Sequence, residues 1–149
     1  MHEHDMQFMR AALEQAQQAA ALGEVPVGAV IVKDGAVIAA AYNRRETDRN
    51  ALAHAELLAI ADACRFLGGW RLSGCTLYVT LEPCPMCAGA LINCRIDRVV
   101  YGAADHKAGC CGSVAHFFHM PFNHSPLLTT GVLAEECGAL LSRFFDAKR

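Results

Sequence analysis

Apolar residues recur at helical spacing from the start of the chain. Met6, Met9, Leu13, Ala16 and Ala20 fall three or four apart, and Gly23 is placed to stop the helix they predict. From 25 to 32 the pattern changes to a β-branched run, which predicts a strand. Asp34-Gly35 offers the positive-φ pair of a tight hairpin, with Val37-Ile38 in the return strand. A polar loop from 43 to 50 leads into a helix with Leu57, Ile60, Ala61 and Cys64 on one face, closed by Gly68-Gly69. Residues 76–81 alternate as a strand, 83–94 read as a second short helix, and 98–101 read as another strand. A long loop covers 102–125, and 127–130 form a final short strand. Leu133, Cys137, Leu140, Leu141 and Phe144 mark an apolar stripe on a C-terminal helix, with Phe145 turned off it.

An opening hairpin followed by strand–helix alternation predicts an α/β fold. The expected form is a three-layer α/β/α arrangement around a central mixed sheet of about five strands. Ligand sites in such sheets gather beyond the carboxyl ends of strands, where helices begin. The chain has 149 residues, which predicts one domain over 1–149. Its composition is 54% hydrophobic and 19% charged, as in a packed globular chain without disordered tails. No apolar run approaches the roughly 20 residues of a membrane span, so no membrane is expected. The first five residues lack the basic start and apolar stretch of a signal peptide, which predicts a cytoplasmic protein. The net charge of −2 excludes broad, non-specific nucleic-acid binding but leaves room for a local basic surface. Arg44, Arg45, Arg49 and Lys107 are the candidates for one. There are eight cysteines. Cys64, Cys94 and Cys137 sit inside apolar patterns, where a reduced thiol acts as a small hydrophobe.

The chemistry concentrates in two segments, His54-Ala55-Glu56 and Pro83-Cys84-Pro85-Met86-Cys87. Together they offer one imidazole and two thiols, with a carboxylate two residues from the imidazole. Closed structural zinc sites use four protein ligands, whereas catalytic ones keep a position open for water. Three ligands, His54, Cys84 and Cys87, with a nearby acid therefore read as a zinc hydrolase site. Cys84 and Cys87 are three apart, so on the first turn of a helix their sulfurs share a side, and the positive helix terminus favours thiolate. Two residues are about 200° apart around a helix axis, so His54 and Glu56 serve one site only if a helix aims its end at the metal. Glu56 then stays free to move protons. This H-x-E…P-C-x-x-C spacing is the known signature of zinc nucleobase deaminases. Two other readings are available. Cys84 and Cys87 could be a redox dithiol, which leaves His54 and Glu56 without a task. A purely structural metal would need a fourth ligand such as Cys110, His106 or His116.

Longer stretches resemble one family more narrowly. Val25-Pro-Val-Gly-Ala-Val30, Ala53-His-Ala-Glu56, residues 77–90 around Thr80-Leu-Glu-Pro-Cys84, Arg98-Val-Val-Tyr-Gly102 and residues 105–113 resemble the bacterial tRNA-specific adenosine deaminases. The resemblance implies the cytidine deaminase-like fold and hydrolytic deamination of the wobble adenosine of an arginine tRNA anticodon to inosine. It implies one zinc per subunit on His54, Cys84 and Cys87, and Glu56 as the proton carrier. Asn43 would hydrogen-bond the purine and Asp105 would lie near the backbone of the splayed anticodon loop. The partners implied are the tRNA anticodon stem-loop and a second copy of the chain in a homodimer. The zinc motif is shared with guanine and nucleoside deaminases, which are the alternative. Unpaired anticodon bases avoid most of the cost of extrusion from a stack. Phe117, Phe118 and Phe122 are candidates either for stacking on flanking bases or for packing, and Cys110-Cys111 for small packed residues.

Overall fold

The computed structural model describes residues 2–149. After helix α1 (Asp5–Ala21) the chain forms a hairpin of β1 (Gly28–Lys33) and β2 (Ala36–Tyr42). Asp34 and Gly35, at φ 51° and 76°, make the turn between them, the pair of positive angles that matches strand twist. Helix α2 (Ala55–Leu67), strand β3 (Cys75–Leu81), helix α3 (Pro85–Asn93) and strand β4 (Arg98–Ala103) follow in alternation. A long connection carries one short 3₁₀ turn, Phe117–His119, before β5 (Leu127–Thr130) and the last helix, α4 (Ala134–Ala147). The strands lie in the order β2-β1-β3-β4-β5. β1 is antiparallel to β2 and β3, while β3, β4 and β5 run parallel. The expected mixed sheet of five strands between two helical layers is what the chain forms. No helix among the described residues is long and apolar enough to cross a membrane.

The central strands are apolar on both faces because both are covered. Val30, Val32, Tyr78 and Val100 pack against α1 and α4 through Phe8, Met9, Ala12 and Cys137. The alternate residues Ala29, Ile31, Leu77, Val79 and Val99 pack against α2 and α3 through Ala59, Ala63, Ala88 and Leu91.

Three expectations need correction. α1 buries Asp5, Phe8, Met9, Ala12, Leu13, Ala16 and Ala19, whereas Met6 is exposed. The helix is rotated so that Asp5 reaches the sheet. α2 buries Ala55, Ala59 and Ala63 against the small side chains Ala39 and Ala41 of β2. Leu57, Ile60 and Cys64 are left half-buried and Ala61 exposed, because alanine lets the helix axis approach the sheet closely. The first strand begins at Gly28, and Val25 and Val27 before it instead line a cavity. The C-terminal stripe is as expected, with Phe145 47% exposed.

Candidate active site

The carboxyl end of β3 and the amino ends of α2 and α3 meet at one point. Cys84 is the residue that opens α3, with extended backbone angles, and Pro85 occupies the first helical position. A proline is suited there because that position has no intrahelical acceptor to lose. His54 opens α2 in the same way. Both helix ends therefore bring their free N–H groups and positive dipole ends toward one spot. His54, Cys84 and Cys87 offer donor atoms that all lie within 4.8 Å of one another. His54 Nδ1 is 3.7 Å from Cys84 Sγ and 3.6 Å from Cys87 Sγ. Tetrahedral zinc, with bonds of about 2.1 Å to nitrogen and 2.3 Å to sulfur, sets such ligands about 3.6 Å apart. The donor set and its spacing therefore fit zinc. No fourth protein ligand joins the cluster among the described residues, which rules against a closed site completed by Cys110, His106 or His116.

The electrostatics match a cation site. The Cys84 thiol is lowered to about 4, first by the hydrogen bond from Cys87, with His54 adding to it. Sharing that proton with Cys84, and then burial, pushes Cys87 far above the ordinary thiol range. The hydrogen bond to Cys84 raises His54. Glu56, only 4% exposed, is pushed up to about 7, chiefly by burial.

A cavity of about 190 Å³ opens over this cluster, lined by His54, Glu56 and Cys84 and also by Asn43, Arg45, Glu82 and Asp105, with Val25, Val27 and Leu81 as apolar walls. Five of the six residues singled out from the sequence thus line one cavity, with Cys87 buried behind it. Asn43 Nδ2 donates to the Val25 carbonyl at 3.2 Å, and Oδ1 accepts from the Arg45 N–H at 3.1 Å. One amide hydrogen remains for a ligand. Asp105 Oδ1 accepts from the N–H groups of Lys107 and Ala108. Phe118 is buried in the core, Phe117 packs against it, and Phe122 is 52% exposed. Cys110 and Cys111 are free, buried thiols, small and packed as expected.

Two buried carboxylates beside the cavity escaped the reading of the sequence. Glu24 accepts from the N–H groups of Glu46 and Thr47, at 3.2 and 2.6 Å, and holds the loop before His54. Glu82 accepts from Asp105, Cys111 and Ser113 and holds the loop after β4. Burial alone would raise both acids, but hydrogen bonds, led by Thr47 for Glu24 and Ser113 for Glu82, outweigh it and hold both below the ordinary range. The signal available in the sequence was an acid inside an apolar segment, Gly23-Glu-Val25 and Leu81-Glu-Pro83.

This fold and donor set define a deaminase of the cytidine deaminase-like class. A profile of the MafB19-like deaminases matches residues 3–135. The tRNA-specific adenosine deaminase of Bacillus subtilis is 52% identical over 146 residues, which span 97% of this chain and 91% of that protein. A structure solved in studies of A-to-I editing by tRNA:A34 deaminases at the wobble position is similar with a TM-score of 0.88. It is 45% identical, over 90% of this chain and 98% of that one. The guanine deaminase of Nitrosomonas europaea aligns with a TM-score of 0.79 at 29% identity, over 93% of this chain and 83% of that one. The chain therefore belongs to the MafB19-like deaminases and, among them, to the family of the tRNA-specific adenosine deaminases.

Proposed function

We propose that this deaminase converts the wobble adenosine of an arginine tRNA anticodon to inosine and releases ammonia. The observation that carries the reading is a buried acid, Glu56, beside a three-donor cluster at the floor of a cavity with apolar walls. His54 Nδ1, Cys84 Sγ and Cys87 Sγ would hold one zinc ion per subunit. When bound, zinc supplies the polarisation that brings a water from a pKa of about 16 to about 7. Replacing the amine on carbon six of adenine by water's oxygen requires one proton on ring nitrogen one and another on the departing amine. Glu56 is the group suited to carry both, since it lines the cavity, is buried beside the three donors and stays outside their set. Asn43 has one amide hydrogen to offer the purine, and Val25, Val27 and Leu81 exclude water from its faces. Asp105 lines the cavity and would lie near the backbone of the anticodon loop. The exposed Lys107 two residues on adds a cation for a phosphate. In this reading the whole chain acts as one domain, in the cytoplasm and as a homodimer. An open groove between α2 and α3, with half-buried Leu57, Met86 and Ala90, offers apolar surface for the second copy.

The test uses zinc-loaded protein, an arginine tRNA with an unmodified wobble adenosine, and Glu56→Ala. Inosine confined to the wobble position is expected, with the variant slower by about 10²–10⁴-fold while keeping its zinc. Ammonia from free guanine with no inosine in tRNA would overturn the reading in favour of a guanine deaminase.

A further inference from the structure

Of the acids lining the cavity, Glu82 is the one whose oxygens are fully engaged. It follows directly on β3 at 2% exposure. Oε1 accepts from the Asp105 N–H at 3.0 Å and from the Ser113 hydroxyl. Oε2 accepts from the N–H groups of Cys111 and Ser113, each at 3.0 Å. An ionised carboxylate has about four lone-pair sites, and these four donors occupy them. Nothing remains to take a proton from a substrate, in contrast to Glu56.

All four donors belong to one loop. Residues 105–113 are braced internally by the Asp105 side chain on the N–H groups of Lys107 and Ala108, and by the Gly109 N–H on the Asp105 carbonyl. The Cys110 N–H bonds to the Pro83 carbonyl, tying the loop to the start of α3. Gly109 makes the docking sterically possible, since a Cβ there would run into the Glu82 carboxylate and the Asp105 carbonyl. This loop gives the cavity its Asp105 and Ala108 wall, and it carries the exposed His106 and Lys107, which line an adjoining hollow.

We infer that Glu82 is a positioning residue: it fixes the 105–113 wall at the distance from Asn43 and Glu56 that admits the target base and its flanking nucleotides. Its role lies in substrate affinity, and the chemical step is left to Glu56. The inference rests on the tRNA-editing reading above.

Glu82→Gln replaces one acceptor oxygen by a donor that faces N–H groups. With an anticodon stem-loop as substrate, its KM is expected to rise about ten-fold or more, the size of losing a hydrogen bond to a charged group. Its kcat should stay within about two-fold, zinc should remain at one per chain, and amide exchange at Cys111 and Ser113 should quicken. Ser113→Ala removes one donor and leaves three, so it should move KM and exchange in the same direction by less; it decides the matter if Glu82→Gln does not fold. A fall in kcat at constant KM would overturn the inference by assigning Glu82 to the chemistry. Unchanged KM and unchanged exchange would overturn it because the wall then stands without the carboxylate. Should the wild-type protein make no inosine, the tRNA reading fails, and the exchange data still report whether Glu82 holds the loop.

Discussion

Two buried polar clusters lie on opposite faces of the sheet, and their hydrogen bonding separates structure from chemistry. On the face covered by α1 and α4, Asp5 is fully buried and receives Arg98 at 2.6 and 2.9 Å and the Tyr78 hydroxyl at 2.7 Å. Arg98 also donates to the Thr129 hydroxyl at 2.8 Å. The carboxylate and guanidinium cancel, and the group behaves as a buried pin between α1, β3, β4 and β5. On the face covered by α2 and α3, His54, Cys84 and Cys87 gather three donor atoms within 4.8 Å of one another beside the buried Glu56. Burying such groups is costly unless a cation completes them. The first cluster is complete in itself, whereas the second is complete only with a ligand.

The largest break in that contrast is expected from removing the metal's support. Cys87→Ser, or chelation of the native protein, should take zinc from one per chain to near zero and deamination to background, measured by metal analysis and inosine formation. Residual full activity without zinc would dismiss the metal reading. A smaller and purely structural effect is expected on the other face. Arg98→Met leaves Asp5 buried without its partner, which should cost about 3–5 kcal/mol in denaturant unfolding. Adding Asp5→Asn should recover part of that loss, and zinc content should not change in either variant. An Arg98→Met protein as stable as wild type would mean that Asp5 is not held as a buried charge.

The smallest effect sharpens the same comparison through pH. Burial would raise Asp5, but the hydrogen bonds from Arg98 and Tyr78 outweigh it and the folded carboxyl lies below its ordinary value. A depressed carboxyl contributes stability above its unfolded pKa of about 4, and that contribution is lost as pH falls through the folded value. Stability should therefore drop below about pH 4. The drop should be shallower in the Asp5→Asn/Arg98→Met double variant, because Glu24 and Glu82 still titrate in the same direction. Equal slopes in the two proteins would remove Asp5 from the acid response.

Legibility followed the range of the interactions. The helix starts at His54 and Cys84, the Asp34-Gly35 turn and the strand boundaries near Leu81 are written in residues a few positions apart, and short-range patterns revealed them. The face that each helix buries was less legible. Met9 and Leu13 are buried as their spacing suggests, but the buried face of α1 extends to Phe8, Ala12 and Ala19 and leaves Met6 out, a rotation that goes with Asp5 reaching Arg98, 93 residues away. In α2, size was the misleading cue. Leucine and isoleucine looked like the core, but Ala55, Ala59 and Ala63 occupy it because the sheet beneath carries alanines.

By itself, the sequence determined three candidate donors, the spacing that lets their side chains meet, and an acid kept out of that set. These follow from one helical turn and two helix ends, geometry that any chain with those residues inherits. Only the tertiary structure decided which loops wall the cavity and what holds them. Glu24 and Glu82 act on N–H groups 22 to 31 residues away, and no periodicity encodes a bond between a buried carboxylate and the backbone of a distant loop.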